Sequence, residues 1–246
     1  MLQLRESEQA IMRDAQEFWT RKTRIDNAEW WHIRDNKILS DKQWLSIGIG
    51  HVEMYRKWMR MYGSEQPLDR VVDWGCGGGA NAVAFAPLCK EIYLVDPSTD
   101  AINETIRQLQ QKSIQTKTTP IQLQIADPLG ASRSIPGGID LFLCLYVFEV
   151  FPSRAYANQI MRIAFDLLRK GGFAFIQFKY QTKDWRTRGR AWSYHRNVTK
   201  MVSYRVEEFW DEACEIGFVP EAIQLVPKSN EVPDFHYAYY LLRKPA

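Results

Sequence analysis

Val71-Val72-Asp73-Trp74-Gly75-Cys76-Gly77-Gly78-Gly79-Ala80-Asn81 decides how this chain is read. It has the form of a buried strand ending in a carboxylate, then a tight glycine turn, then the start of a helix. Glycines at 75, 77 and 79 let the backbone take positive φ and approach a ligand with no Cβ in the way. A helix N-terminus beyond the turn offers unpaired N–H groups to an anionic group. The next apolar run, Ile92-Tyr93-Leu94-Val95, ends in Asp96, about 20 residues after Gly75, where a carboxylate can accept hydrogen bonds from ribose hydroxyls. The pattern is that of a nucleoside-cofactor site. Spacing alone leaves the cofactor open, because Gly75, Gly77 and Ala80 also satisfy the dinucleotide pattern of nicotinamide and flavin proteins. Asp73 shifts the balance: negative charge two residues before the first glycine suits an ammonium group better than a pyrophosphate.

Outward from this turn the chain alternates short apolar runs with helical segments. Strands are expected near 70–74, 92–96, 121–125, 139–146 and 172–179, and helices near 80–88, 98–112 and 154–169. Such alternation predicts a parallel sheet covered on both faces. Tyr204 to Ile216 forms an amphipathic helix stopped by Gly217, and two last strands follow near 218–227 and 236–243, joined by Pro227 to Pro233. Residues 1–66 are mainly helical by periodicity, with Gly63-Ser64-Glu65-Gln66-Pro67 ending the second helix.

Asp73-Trp74-Gly75-Cys76-Gly77-Gly78-Gly79 closely resembles motif I of the class I S-adenosylmethionine (SAM)-dependent methyltransferases, and Leu94-Val95-Asp96-Pro97-Ser98 looks like their second motif. Ile125-Ala126-Asp127 is similar to the adenine-contacting turn after the third strand. Asp140 to Tyr146 is similar to the fourth strand, and Leu168 to Phe173 to the turn into the fifth. The resemblance covers roughly residues 67–180 in order. It implies a Rossmann-like, doubly wound, mostly parallel seven-stranded sheet of order 3-2-1-4-5-7-6 with an antiparallel final pair. It further implies one structural domain, with residues 1–66 as a helical lid on a 67–246 core. It names SAM as cofactor, with Gly75 and Gly77 at the methionine moiety, Asp73 nearby, Asp96 on the ribose, and Ala126 and Asp127 at the adenine. Cys76, Asn81, Pro97 and Leu145 complete that set by position.

Composition narrows the function classes. The 246 residues are 46% hydrophobic and 25% charged, ordinary for a globular protein, and a net charge of +3 is too mild to imply nucleic-acid binding by itself. No uncharged apolar run reaches the roughly 18 residues of a membrane span, and Met1 to Arg13 has no apolar targeting core, so a cytoplasmic location is expected. The cysteines at 76, 89, 144 and 214 have neither CxxC pairing nor metal-like spacing with histidine, so no disulfide framework and no metal are expected.

Ligands of open parallel sheets bind beyond the C-terminal strand ends, which puts the acceptor near Leu145, Tyr146, Phe148 and Glu149. Glu149 is placed to take a proton from an acceptor, with a helix-start acid as the structural alternative. Tyr146 is a second candidate. His195 is a third, since imidazole exchanges protons near neutral pH. The segment 179–196 interleaves Arg186, Arg188 and Arg190 with Trp185, Trp192 and Tyr194, which suits an anionic or polyhydroxylated acceptor or forms a solvated cover. Glu29 to Arg34 and Trp44 to His51 are also unusual, with Gly48 and Gly50 expected to precede a helix beginning near His51. The expected activity is methyl transfer to an oxygen or nitrogen of a polar small molecule, sugar-containing ones included. An RNA-modifying enzyme and a non-catalytic SAM-binding partner subunit are the two alternatives.

Overall fold

The computed structural model describes residues 6–21, 41–63, 66–228 and 235–246. Strand β1 (Leu68–Trp74) runs parallel between β2 (Cys89–Asp96) and β4 (Ile139–Cys144). Outside these lie β3 (Lys117–Gln122) on β2 and β5 (Leu168–Lys179) on β4, both parallel. β7 (Phe235–Arg243) runs antiparallel between β5 and β6 (Val219–Lys228), which completes a seven-stranded sheet of order β3-β2-β1-β4-β5-β7-β6. This is the mostly parallel architecture that the motif order implies.

The apolar runs of β1, β2 and β4 are buried on both sides, as a doubly covered parallel sheet requires. On one face Val72, Trp74, Val95, Phe142 and Cys144 pack with α1 (Glu8–Thr20), α6 (Arg154–Leu167) and α8 (Val206–Ile216). On the other, Val71, Leu94, Leu141, Leu143 and Phe175 pack with α2 (Asp41–Met61), α3 (Ala80–Phe85) and α4 (Thr99–Gln111). The N-terminal helices therefore lie on opposite faces of the sheet. α2 contributes Trp44, Val52, Tyr55, Trp58 and Met59 to the core itself.

Several boundaries differ from the sequence expectation. Gly48 and Gly50 stand inside α2, not before a helix at His51. A Cβ at Gly48 would come within 2.0 Å of the Ala80 carbonyl oxygen, so the residue lets α2 cross directly over the start of α3. β3 lies earlier than 121–125, because its register follows β2 from Glu91 to Asp96; Pro120 is tolerated on this edge strand. β4 ends at Cys144, since Tyr146 takes φ 60° and cannot continue a strand. β6 runs on through Pro227 to Lys228, again on an edge; the rest of the expected connection and the Glu29 to Arg34 stretch lie outside the described residues. No described helix is long and apolar enough to cross a membrane.

Candidate functional site

β1 and β2 end side by side, with Asp73 opposite Leu94 and Trp74 opposite Val95. Beyond them the turn folds back: Gly75 and Cys76 both donate their N–H to the Val95 carbonyl, at 2.7 and 3.1 Å. Gly75 and Gly77 take φ of 80° and 51°, and a Cβ at Gly75 would stand 2.5 Å from a Val147 methyl. Asp96 is clamped to this turn. Its Oδ2 accepts from the Gly77 N–H at 3.0 Å and its Oδ1 from the Ser98 N–H at 2.8 Å, leaving each oxygen a further lone pair.

Asp73 is 1% exposed, and neither of its carboxylate oxygens makes a hydrogen bond of good geometry. Burial, then the Asp96 charge, push its carboxyl up to about 7, against the opposing pull of the Ala82 amide. Burial likewise raises Asp96 to about 6, opposed by the Ser98 and Gly77 amides. Two buried carboxylates with raised affinity for protons, one of them without good hydrogen bonds, form a site at the glycine turn that a cation would relieve.

The turn opens into a partly open cavity, about 640 Å³ of space with its solvent-facing mouth included. Gly75, Gly77, Asp96 and Pro97 form its floor and Tyr146 one side, all of them expected from sequence. Leu123, Ile125, Val147, Val150 and Phe151 give it an apolar lining. Trp74 Nε1 and Tyr156 OH, two buried donors of cavity residues, have no partner. Trp19 from α1 and Tyr194 from α7 (Tyr194–Asn197) close the cavity and are bonded to each other.

Other expected residues fall elsewhere. Asp127 caps α5 (Pro128–Ser132), accepting from the Gly130 N–H at 2.9 Å, and pairs with Arg133; its neighbour Ala126 is exposed. Leu123 and Ile125, just before them in the chain, line the cavity. Cys76 is buried against Thr105, and Leu145 is core on the α2 side. Asn81 is buried with its Oδ1 2.7 Å from His51 Nδ1. Glu149 is buried in a short turn at Phe148–Val150 and does not line the cavity, and its backbone carbonyl accepts from Met201 and Val202. His195 is exposed and lies against Phe18, while the adjacent Tyr194 is the residue that enters the cavity wall. Sequence reasoning passed over Trp19, Tyr156, His51 and Tyr239, which carry no local motif.

The fold and this turn together define an α/β protein that holds a nucleoside cofactor at the C-terminal ends of its central strands. The pattern of the methyltransferase domain family matches residues 30–221, and the chain belongs to that family, in its class I SAM-dependent branch. Its cofactor is SAM. It is 27% identical over 107 residues to a ubiquinone biosynthesis O-methyltransferase of Albidiferax ferrireducens, 44% of this chain and 40% of that protein. The chain thus matches less than half the length of that curated relative. Among solved structures it is similar to a SAM-dependent methyltransferase of Methanosarcina mazei, at TM-score 0.58 and 13% identity over 75% of this chain and 96% of the other. It is also similar to the magnesium protoporphyrin IX methyltransferase of Synechocystis, solved with bound S-adenosylhomocysteine, at TM-score 0.60 and 14% identity over 85% and 90%.

Proposed function

We propose that this protein transfers the methyl group of SAM to an oxygen or nitrogen of a polar small molecule, sugar-containing acceptors included. The reading rests on one observation above all: the clamped Asp96, the cradle of Gly75 and Gly77 and the Tyr146 ring line a single cavity. In it Asp96 takes the ribose hydroxyls with its remaining lone pairs, and the glycine turn admits the methionine end against bare backbone. Asp73 sits beneath, as the counter-charge for a cationic ligand. Leu123 and Ile125 offer an apolar wall to the adenine. SAM supplies a methyl group already activated by its sulfonium, so the chain's task is to hold donor and nucleophile in line and to exclude water.

α1 acts as the lid, through Trp19. The exposed Arg186 and Arg188 and the Trp185 ring, over which the Arg190 guanidinium lies at 5.7 Å, select an anionic or polyhydroxylated acceptor. Transfer to oxygen is favoured because the curated relatives are O-methyltransferases by name.

The test is a screen of hydroxylated and aminated metabolites scored by S-adenosylhomocysteine release, alongside calorimetry with SAM and NAD(H). Turnover with a small acceptor supports the reading and excludes an inert subunit. Turnover on RNA alone, abolished by ribonuclease, would replace it with the RNA-modifying alternative.

A further inference from the structure

Five polar side chains meet on the α2 face of the sheet at its C-terminal end, within an otherwise apolar core: His51, Asn81, Tyr146, Gln177 and Tyr239. His51 is 4% and Gln177 0% exposed. They come from five separate places in the chain, and no motif announces that they meet. Buried polar groups of this number are costly unless they are mutually satisfied or needed, and their connections run in one direction.

Asn81 Oδ1 lies 2.7 Å from His51 Nδ1. A carboxamide oxygen only accepts, so Nδ1 carries the imidazole proton and Nε2 is left as an acceptor. Nε2 faces the Tyr239 hydroxyl at 3.4 Å, and that hydroxyl donates to the Tyr146 hydroxyl at 3.1 Å. Each phenol can donate to one neighbour while accepting from another. Tyr146 in turn lines the cavity. Its place is held by its backbone: the Tyr146 N–H donates to Gln177 Oε1, and φ of 60° turns the residue out of β4. Its ring lies between those of His51 and Tyr237, at 5.5 and 5.0 Å. A line of polar atoms thus joins Tyr146 to a buried imidazole, and turning the two hydroxyls about their C–O bonds reverses the Tyr239-to-Tyr146 bond so that it points toward His51. A strained, non-glycine backbone holds the cavity end of that line, a cost that proteins concentrate at functional positions.

We propose that Tyr146, Tyr239 and His51 form a proton relay that deprotonates the acceptor hydroxyl, with His51 as the terminal base and Asn81 setting its tautomer. This rests on the methyl-transfer reading above. As the acceptor oxygen gains the methyl group, its O–H electron pair stays on that oxygen and its O–C bond forms from an oxygen lone pair. The broken S–C pair stays on the sulfur of S-adenosylhomocysteine. The acceptor proton passes to Tyr146 oxygen, the Tyr146 proton to Tyr239 oxygen, and the Tyr239 proton to His51 Nε2, giving an imidazolium. The proton returns by the same chain to solvent once product has left. Tyr146, which touches the acceptor, is the catalytic residue; Tyr239, His51 and Asn81 are positioning residues that act through it. The relay accounts for proton removal although neither His195 nor Glu149 lines the cavity.

Two measurements on the full chain test this. In ¹⁵N-histidine-labelled protein saturated with S-adenosylhomocysteine, His51 is expected as the Nδ1–H tautomer. Its Nε2 resonance is expected to move in Tyr239→Phe while the other histidines stay in place. A proton on Nε2, or an Nε2 resonance indifferent to Tyr239→Phe, overturns the relay. With a phenol, a catechol and a pyranose as acceptors, His51→Ala, Tyr239→Phe and Tyr146→Phe should each lower kcat by roughly 100- to 10,000-fold. Acceptor KM and SAM Kd should stay within about threefold, and the His51→Ala/Tyr239→Phe pair should lose no more than its worse member, as groups acting in series do. Added imidazole should restore part of the turnover of His51→Ala. Losses that multiply, or that fall on KM and SAM affinity instead, assign the cluster to structure and overturn the proposal. If the wild-type protein binds no SAM, the methyl-transfer reading fails by itself; the histidine spectrum, recorded then on the free protein, still judges the relay.

Discussion

Trp19 donates through its indole Nε1 to the Tyr194 hydroxyl at 2.7 Å, and Tyr194 donates in turn to the Val150 carbonyl at 2.7 Å. These residues belong to the N-terminal helix, the segment after β5 and the turn after β4, and Trp19, Val150 and Tyr194 all line the cavity. The chain of bonds ties α1 down over the cofactor site. A neutral hydrogen bond contributes about 1 kcal/mol, so Trp19→Phe should speed SAM dissociation by several-fold with little effect on the rest of the fold. Stopped-flow displacement by S-adenosylhomocysteine measures this, and an unchanged off-rate would show that α1 does not act as a lid.

Asp96→Ala should weaken SAM binding by roughly 1.5–3 kcal/mol, the scale of hydrogen bonds to a charged group. The same change removes the acceptors of Gly77 and Ser98, so the glycine turn also loosens. Calorimetry with circular dichroism as a folding control checks it. Unchanged affinity in a folded variant would remove Asp96 from the ribose position.

Asp73 and Asp96 make the free protein sensitive to pH. Their carboxyls rise to about 7 and about 6 in the fold, from an ordinary value of 3.8. The folded state therefore keeps protons that the unfolded chain has released. Their contribution to stability is fully present below about pH 4 and is lost as pH rises through 6 to 7, with a slope of at most about 1.4 kcal/mol per pH unit per group. Melting of the free protein should decline over this window, and less steeply in Asp73→Asn. A cationic ligand favours the charged carboxylates, so SAM should bind with proton release near pH 6–7. Calorimetry in two buffers of different ionisation enthalpy counts those protons, and none released would contradict the counter-charge role.

Gly48→Ala should destabilise the protein by about 1–3 kcal/mol, the usual cost of overpacking, because the new Cβ meets backbone at Ala80. Gly50→Ala, where nothing lies within 4 Å, should be neutral or stabilising. Urea denaturation of the two variants separates the close helix crossing from helix propensity. Equal effects would show that the crossing is not tight in solution.

Replacing Arg186, Arg188 and Arg190 together by Ala should raise acceptor KM or remove turnover, with SAM affinity nearly constant. Arg186 is already paired with Asp184 at 2.6 Å on the surface, so Arg188 and Arg190 should carry most of the effect. Collapse of SAM affinity instead would place the segment in the cofactor pocket.

The sheet order, the glycine turn and the place of Asp96 are legible in the sequence because each depends on neighbours in the chain. A buried strand, three glycines and a carboxylate at the end of the next strand are local patterns, and parallel crossovers leave few ways to arrange them. Sequence position could not show that Asp127, which has the family's spacing, also caps the start of its own helix. Nor could it place the N-terminal helices, whose apolar stripes are alike but whose partners lie on opposite faces of the sheet. The meeting of His51, Asn81, Tyr146 and Tyr239 belongs wholly to tertiary structure. The hydrogen bonds among them link positions 30, 188 and 93 residues apart, and no periodicity records contacts made only when a sheet and its covering helix close together.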